Sequence, residues 1–195
     1  MNKLHYKFIV IFLIAIVFPR NLIQNWLSEN KEFIQSKQKA INFTYSISHP
    51  EYKSEYKNIK GQLITTFENK FKLIMGTRTL YSNGDKWVIH DVRTNQAIIQ
   101  NPDSTLYSLI VGMTQFDELN KLLSVSILKN NTATIYNKNQ KIEIRFENEK
   151  ISSILSDYNS IKVEIQKIEF DKNLIISDSL FIFKDNTAMM IDLRE

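Results

Sequence analysis

A chain of 195 residues with 43% apolar and 24% charged content has the size and make-up of one globular domain that buries its own core. Lys3, Lys7 and Arg20 stand in the first 20 residues with no acid, so the remainder carries 22 basic and 21 acidic side chains and no footprint for nucleic acid. The composition holds no cysteine, which removes disulfides, thiol nucleophiles and thiolate metal sites together.

The chain opens on an export-like leader. Lys3, His5 and Lys7 form a short positive region, and Phe8 to Phe18 is an unbroken apolar run of 11 residues. That is the length of a signal-peptide core and well short of the ~20 residues a helix needs to span a bilayer. No small-x-small pair follows: Phe18-Pro19-Arg20-Asn21 is a poor cleavage site, so residues 1–20 are expected to be a signal peptide or an uncleaved anchor. Residues 21–195 are expected to form a single domain.

From Asn21 to about Ala40, Leu22, Ile23, Trp26, Leu27, Phe33 and Ile34 make an amphipathic helical stripe. Ile41, Phe43, Tyr45 and Ile47 then alternate with polar residues, the period of a half-buried strand, until His49-Pro50 breaks it. Strands are predicted at Tyr56–Phe67, Lys70–Met75, Thr79–Ser82, Lys86–Asp91 and Gln96–Gln100. Between the third and fourth of these, Asn83-Gly84 reads as a two-residue hairpin turn with positive φ. Short polar connections make the run an antiparallel meander.

Helical character interrupts it once. Leu106, Leu109 and Ile110 share a face, and Gly112 can stop that helix. Thr114 caps a second, in which Phe116, Leu119, Leu122 and Leu123 form the stripe. After Asn130-Asn131, strands resume at Thr132–Tyr136, Ile142–Phe146, Ile151–Leu155, Ile161–Ile168, Leu174–Phe183 and Ala188–Leu193. The expected fold class is mainly β (α+β): a strongly curved antiparallel sheet of about ten or eleven strands, an unclosed half-barrel with the N-terminal helix and a helical lid on its concave face.

Phe43, Tyr45, Leu63, Phe71, Leu73, Trp87, Ile89, Ile144, Phe146, Val163 and Ile165 occupy the inward phase of these strands. Periodicity fits a filled interior and a greasy cavity equally well. In the cavity reading the lining residues are Phe43, Leu63, Phe71, Leu73 and Trp87 on the sheet, with Leu106, Leu109, Leu119, Leu122 and Leu123 on the lid. Gly112, free of side-chain restriction, is the candidate hinge.

Catalysis finds little support. The histidines are His5, His49 and His90, and His90 and Asp91 face opposite sides of any strand that holds both. Gly-rich phosphate loops and Gly-x-Ser-x-Gly are missing, so no enzyme activity, cofactor or metal is expected.

Several segments, in order, resemble the outer-membrane lipoprotein carrier (LolA) family. They are Ile41-Asn42-Phe43-Thr44-Tyr45, Lys60-Gly61-Gln62-Leu63, Asn69-Lys70-Phe71-Lys72-Leu73 and the Asn83-Gly84 hairpin with Trp87. Asn95-Gln96-Ala97, Phe181-Ile182-Phe183-Lys184 and Met190-Ile191-Asp192-Leu193-Arg194 complete the set. The match is that of a divergent member: Phe67-Glu68-Asn69 stands where a basic residue is usual, and Val92 where a proline follows. The resemblance implies a periplasmic carrier whose half-barrel shields the acyl chains of a lipoprotein or another lipid. It also implies an inner-membrane lipoprotein-releasing transporter and an outer-membrane acceptor as partners. A monomer is expected. The alternative is a membrane-tethered or periplasmic sensor module that binds lipid or protein on the same scaffold, without catalysis.

Overall fold

Alternation of apolar and polar side chains from Gln38 onward builds one sheet. The computed structural model describes residues 22–49, 52–66, 70–102, 126–137, 140–158, 161–171 and 174–194. Helix α1 covers residues 22–29 and α2 Lys31–Gln35. Strands follow as β1 Gln38–His49, β2 Tyr52–Thr66, β3 Lys70–Met75, β4 Arg78–Asn83, β5 Trp87–Asp91 and β6 Gln96–Gln100. The second group is β7 Ile127–Lys129, β8 Thr132–Asn137, β9 Gln140–Glu147, β10 Lys150–Tyr158 and β11 Ile161–Asp171. A 3₁₀ turn at Asp178–Phe181 and β12 Met189–Asp192 end the chain.

All 12 strands join one open, curved sheet in the order β12-β6-β5-β4-β3-β2-β1-β11-β10-β9-β8-β7, an unclosed half-barrel. Pairing is antiparallel except between β12 and β6, which run parallel. The meander expected from sequence is therefore present, with one more strand (β7) and a parallel closing strand. Bulges flank the central strand on both sides: β2 carries one at Asn58 (φ 51°) and β11 one at Lys167 (φ 51°). Bulges bend a strand and increase its local twist, which favours a curved sheet over a flat one.

One face receives the helices. Ile23, Trp26, Leu27, Phe33 and Ile34 pack on Ala133, Ile135, Ile144 and Phe146, so the helical stripe read from sequence lies on the sheet as expected. Phe33 stacks on Phe170 at 4.3 Å, and Trp26 meets Phe146 edge-on at 6.4 Å. The helical region ends earlier than Ala40. Ser36 is extended and its hydroxyl donates to Phe33 O at 2.7 Å, after which Gln38 already pairs with Thr66. Ladder bonds in a sheet outweigh the intrinsic helix propensity of Lys37-Gln38-Lys39-Ala40, all good helix formers.

The outer face of β1–β6 is covered by the C-terminal segment. Ile176 and Phe181 sit on Ala40 and Ile64, while Phe183 and Ala188 meet Val88 and Ala97. Leu174–Phe183 is consequently no strand. Phe181 is buried and Ile182 exposed because the segment runs across the sheet, where it has side chains to cover but no strand to pair with.

The Asn83-Gly84 turn also differs. Ser82 pairs with Trp87, leaving a four-residue loop in which Gly84 has φ 102°. Asn83 Oδ1 accepts from the Asp85 and Lys86 amides at 3.1 and 3.2 Å, a side-chain-closed turn that displaces the tight one. Two-residue turns with both residues at positive φ occur instead at Asn130-Asn131 and Asn148-Glu149.

Candidate functional site

Register sorts the inner face of β1–β6 into three rows. Residues directly opposite on paired strands share a face, so each row can be followed across six strands. The first row is Lys39, Thr65, Phe71, Ser82, Trp87 and Gln100. The second is Ile41, Leu63, Leu73, Leu80, Ile89 and Ile98, aliphatic throughout. The third is Phe43, Gly61, Met75, Arg78, Asp91 and Gln96.

These rows give the inner face a dry centre with polar margins. Leu63, Phe71, Leu80 and Trp87 are buried together, with Ile41, Phe43, Leu73 and Ile89 packed against them. Phe71 and Trp87 meet edge-on at 5.6 Å. Ile41 also touches the cluster under the helices, so the apolar surface is continuous from α1 to this site. In the aliphatic row only Leu63 and Leu80 are fully buried; the other four are half-buried.

Phe43 lies against Gly61. A Cβ at position 61 would run into the Phe43 ring, so the glycine provides the seat for the aromatic. Beyond it the third row turns polar. Arg78 Nε donates to Asp91 Oδ2 at 3.0 Å and Arg93 Nη2 to the same oxygen at 3.2 Å. Hydrogen bonds from Arg93 first, then Arg78, hold the Asp91 carboxyl well below the usual carboxylate range.

The first row contains polar groups inside the core. Thr65 donates to the carbonyls of Thr66 and Lys70 at 3.3 and 3.4 Å, and Ser82 Oγ accepts from the Gly84 amide at 3.4 Å. Lys39 is only 4% exposed, and burial pushes its amine down to about 8. Trp87 Nε1 is buried and has no hydrogen-bond partner among the described residues.

The five sheet residues expected at the site, Phe43, Leu63, Phe71, Leu73 and Trp87, thus come together in one cluster. Leu106, Leu109, Leu119, Leu122, Leu123 and Gly112 lie outside the described residues, as does the leader. Ile41, Leu80 and Ile89 join the cluster in addition to the expected lining. The sequence signal for Leu80 is its place two residues from Ser82 in a strand whose partner carries Trp87. For Ile41 it is alternation with Asn42, and for Ile89 its inward phase two residues from Trp87.

His90 and Asp91 do point to opposite faces. His90 is buried on the outer side, with Nε2 at 3.2 Å from Asn95 Oδ1 and its ring 4.9 Å from Phe183. Among the described residues no group of three or more His, Asp or Glu could hold a metal, and no helix is long and apolar enough to cross a membrane. Two shallow clefts of about 220 and 210 Å³ lie elsewhere. The first is between the outer face and Phe183, and the second between Phe33 and Ile176.

No family model and no curated protein matches the chain. Solved structures do resemble it. An uncharacterized conserved protein from Thermus thermophilus aligns at 9% identity over 87% of this chain and 98% of its own, with a TM-score of 0.48. A LolA superfamily protein from Nitrosomonas europaea aligns at 9% identity over 82% and 97%, with a TM-score of 0.45.

Proposed function

We propose that this protein is a periplasmic carrier that shields the acyl chains of a lipoprotein, or of another lipid, on the inner face of its half-barrel. The observation that carries this reading is the aliphatic row Ile41-Leu63-Leu73-Leu80-Ile89-Ile98. Five interstrand steps of about 4.8 Å give a lane roughly 24 Å long with no polar side chain in it. Each methylene kept from water contributes ~0.8 kcal/mol, so a lane of that length supplies enough binding to hold an acyl chain in an aqueous compartment. Half-buried side chains along it leave apolar surface for a ligand to cover.

In this reading Leu106, Leu109, Leu119, Leu122 and Leu123 close over the lane from segment 103–129, whose last residues are strand β7 and not helix, and Gly112 is the hinge. The cargo comes from an inner-membrane lipoprotein-releasing transporter and passes to an outer-membrane acceptor, the partners the family resemblance implies. Transfer needs a gradient of affinity and no chemistry. The leader either is removed on export or tethers the module to the inner membrane.

Mass spectrometry of organic extracts from protein purified without detergent is the direct test. Acylated peptide or lipid should co-purify in near-stoichiometric amount, and Leu80→Asp, placed in the lane, should abolish it. Extracts free of lipid, together with no binding of an added fluorescent acyl probe, would sink the carrier reading. N-terminal sequencing of the same material, with fractionation of cells, decides between the free and tethered forms.

A further inference from the structure

Trp87 is 1% exposed and its indole nitrogen finds no acceptor among the described residues. The indole N–H can only donate, and a buried donor left unpaired costs free energy that a hydrogen bond would recover. Its neighbours in the cluster, Leu63, Phe71 and Leu80, offer no side-chain oxygen. Across the strands it faces Ser82 and Gln100. Neither bonds the indole nitrogen, although a water bridging to them could satisfy it. A carbonyl oxygen attached to an apolar chain meets the need better, since the rest of the ligand matches the adjoining Leu80-Ile89 lane.

We propose that Trp87 is a specificity residue whose Nε1–H donates to the carbonyl oxygen of a bound acyl chain. The site thereby selects acyl esters, amides or carboxylates over plain hydrocarbon and alkyl-ether chains. This rests on the carrier reading and adds to it a polar anchor, which sets where along the lane the chain begins. Phe71, held edge-on at 5.6 Å, fixes the plane of the indole, so the donor direction is set before the ligand arrives.

The test uses the full chain labelled with ¹⁵N in its indoles. The protein has 2 tryptophans, and Trp26→Phe assigns the two signals. Palmitoyl lysophosphatidylcholine and its hexadecyl ether analogue differ at the carbonyl alone; free palmitate is the third probe. The ester should bind about tenfold more tightly than the ether, the worth of one net hydrogen bond. The Trp87 N–H signal should move downfield with the ester and stay in place with the ether. A matching effect with palmitate extends the site to free carboxylates, whereas an effect with the ester alone assigns it to esterified cargo. Trp87→Phe should bind ester and ether equally, at the ether's affinity.

Equal binding of ester and ether by the wild-type protein, with an unmoved Trp87 signal, overturns the inference and leaves the carrier reading intact. Failure of every probe to bind overturns both. Because the spectra are read on the wild-type chain, the outcome does not depend on the folding of Trp87→Phe.

Discussion

Gly61 and Phe43 show how one missing Cβ shapes the site. The Phe43 ring occupies the space above Gly61, across the β1–β2 pair. Gly61→Ala should displace that ring and cost about 1–3 kcal/mol, the range for overpacking a close contact. Urea unfolding of Gly61→Ala, Phe43→Leu and the double variant would check this. The double variant should lose less than the two single changes together, because Phe43→Leu removes the ring that the new methyl meets and Gly61→Ala fills part of the space that ring leaves. Lys39 offers a second residue-scale test. Its amine titrates at about 8 in the folded protein because burial disfavours its charge, against about 10.4 in an unfolded chain. Between those values the unfolded chain binds the proton that the folded chain has released, so stability should rise with pH across that window. Lys39→Met keeps the stem and removes the titration. The wild-type gain relative to this variant, followed by urea midpoints at about pH 7.5 and 10, should vanish if another group carries the slope.

At the level of elements, the C-terminal segment does two jobs that its sequence announces only in part. Met189, Met190, Ile191 and Asp192 pair parallel with Gln96 to Ile99, and Ala188 completes the cluster with Val88 and Ala97. A chain truncated before Met189 should expose the edge of β6 and the apolar side chains next to it. Lower thermal stability and concentration-dependent association by sedimentation are the expected results; an unchanged, strictly monodisperse protein would show that β12 is dispensable. Most strands are legible in the sequence because alternation of apolar residues is preserved on the buried face, as from Ile41 to Ile47 and Lys70 to Met75. The segment through Phe181 and Phe183 misleads for the same reason. Burial of alternate residues follows equally from crossing a sheet and from joining one, and only the ladder tells them apart. The Asn83 turn departs from expectation because its side chain competes with the backbone for the Asp85 and Lys86 amides. Of the site, the five sheet residues are readable from parity, whereas the buried Lys39-Thr65-Ser82 row is not. Its members are polar, and only register places them beside Phe71 and Trp87.

On the scale of the whole molecule, connectivity makes one segment decisive. β6 lies next to one edge of the sheet and β7 forms the other, yet they follow each other in sequence. The residues between them in sequence carry the leucines proposed to close over the aliphatic lane. If segment 103–129 is that cover, cargo can enter and leave only when it opens, which demands a locally weak attachment. The absence of native cysteine permits a clean lock. Leu73→Cys combined with Leu119→Cys should, once oxidised, block uptake of a fluorescent acyl probe, and reduction should restore it. Circular dichroism of the oxidised form must first match the wild type, since a strained disulfide can itself destabilise the fold. Slow uptake when oxidised and fast uptake when reduced, with the same fold in both, identifies opening of this segment as the rate-limiting event. A locked, folded protein that fills as quickly as the reduced one would exclude a lid and return the inner face of β1–β6 to the status of an ordinary packed core.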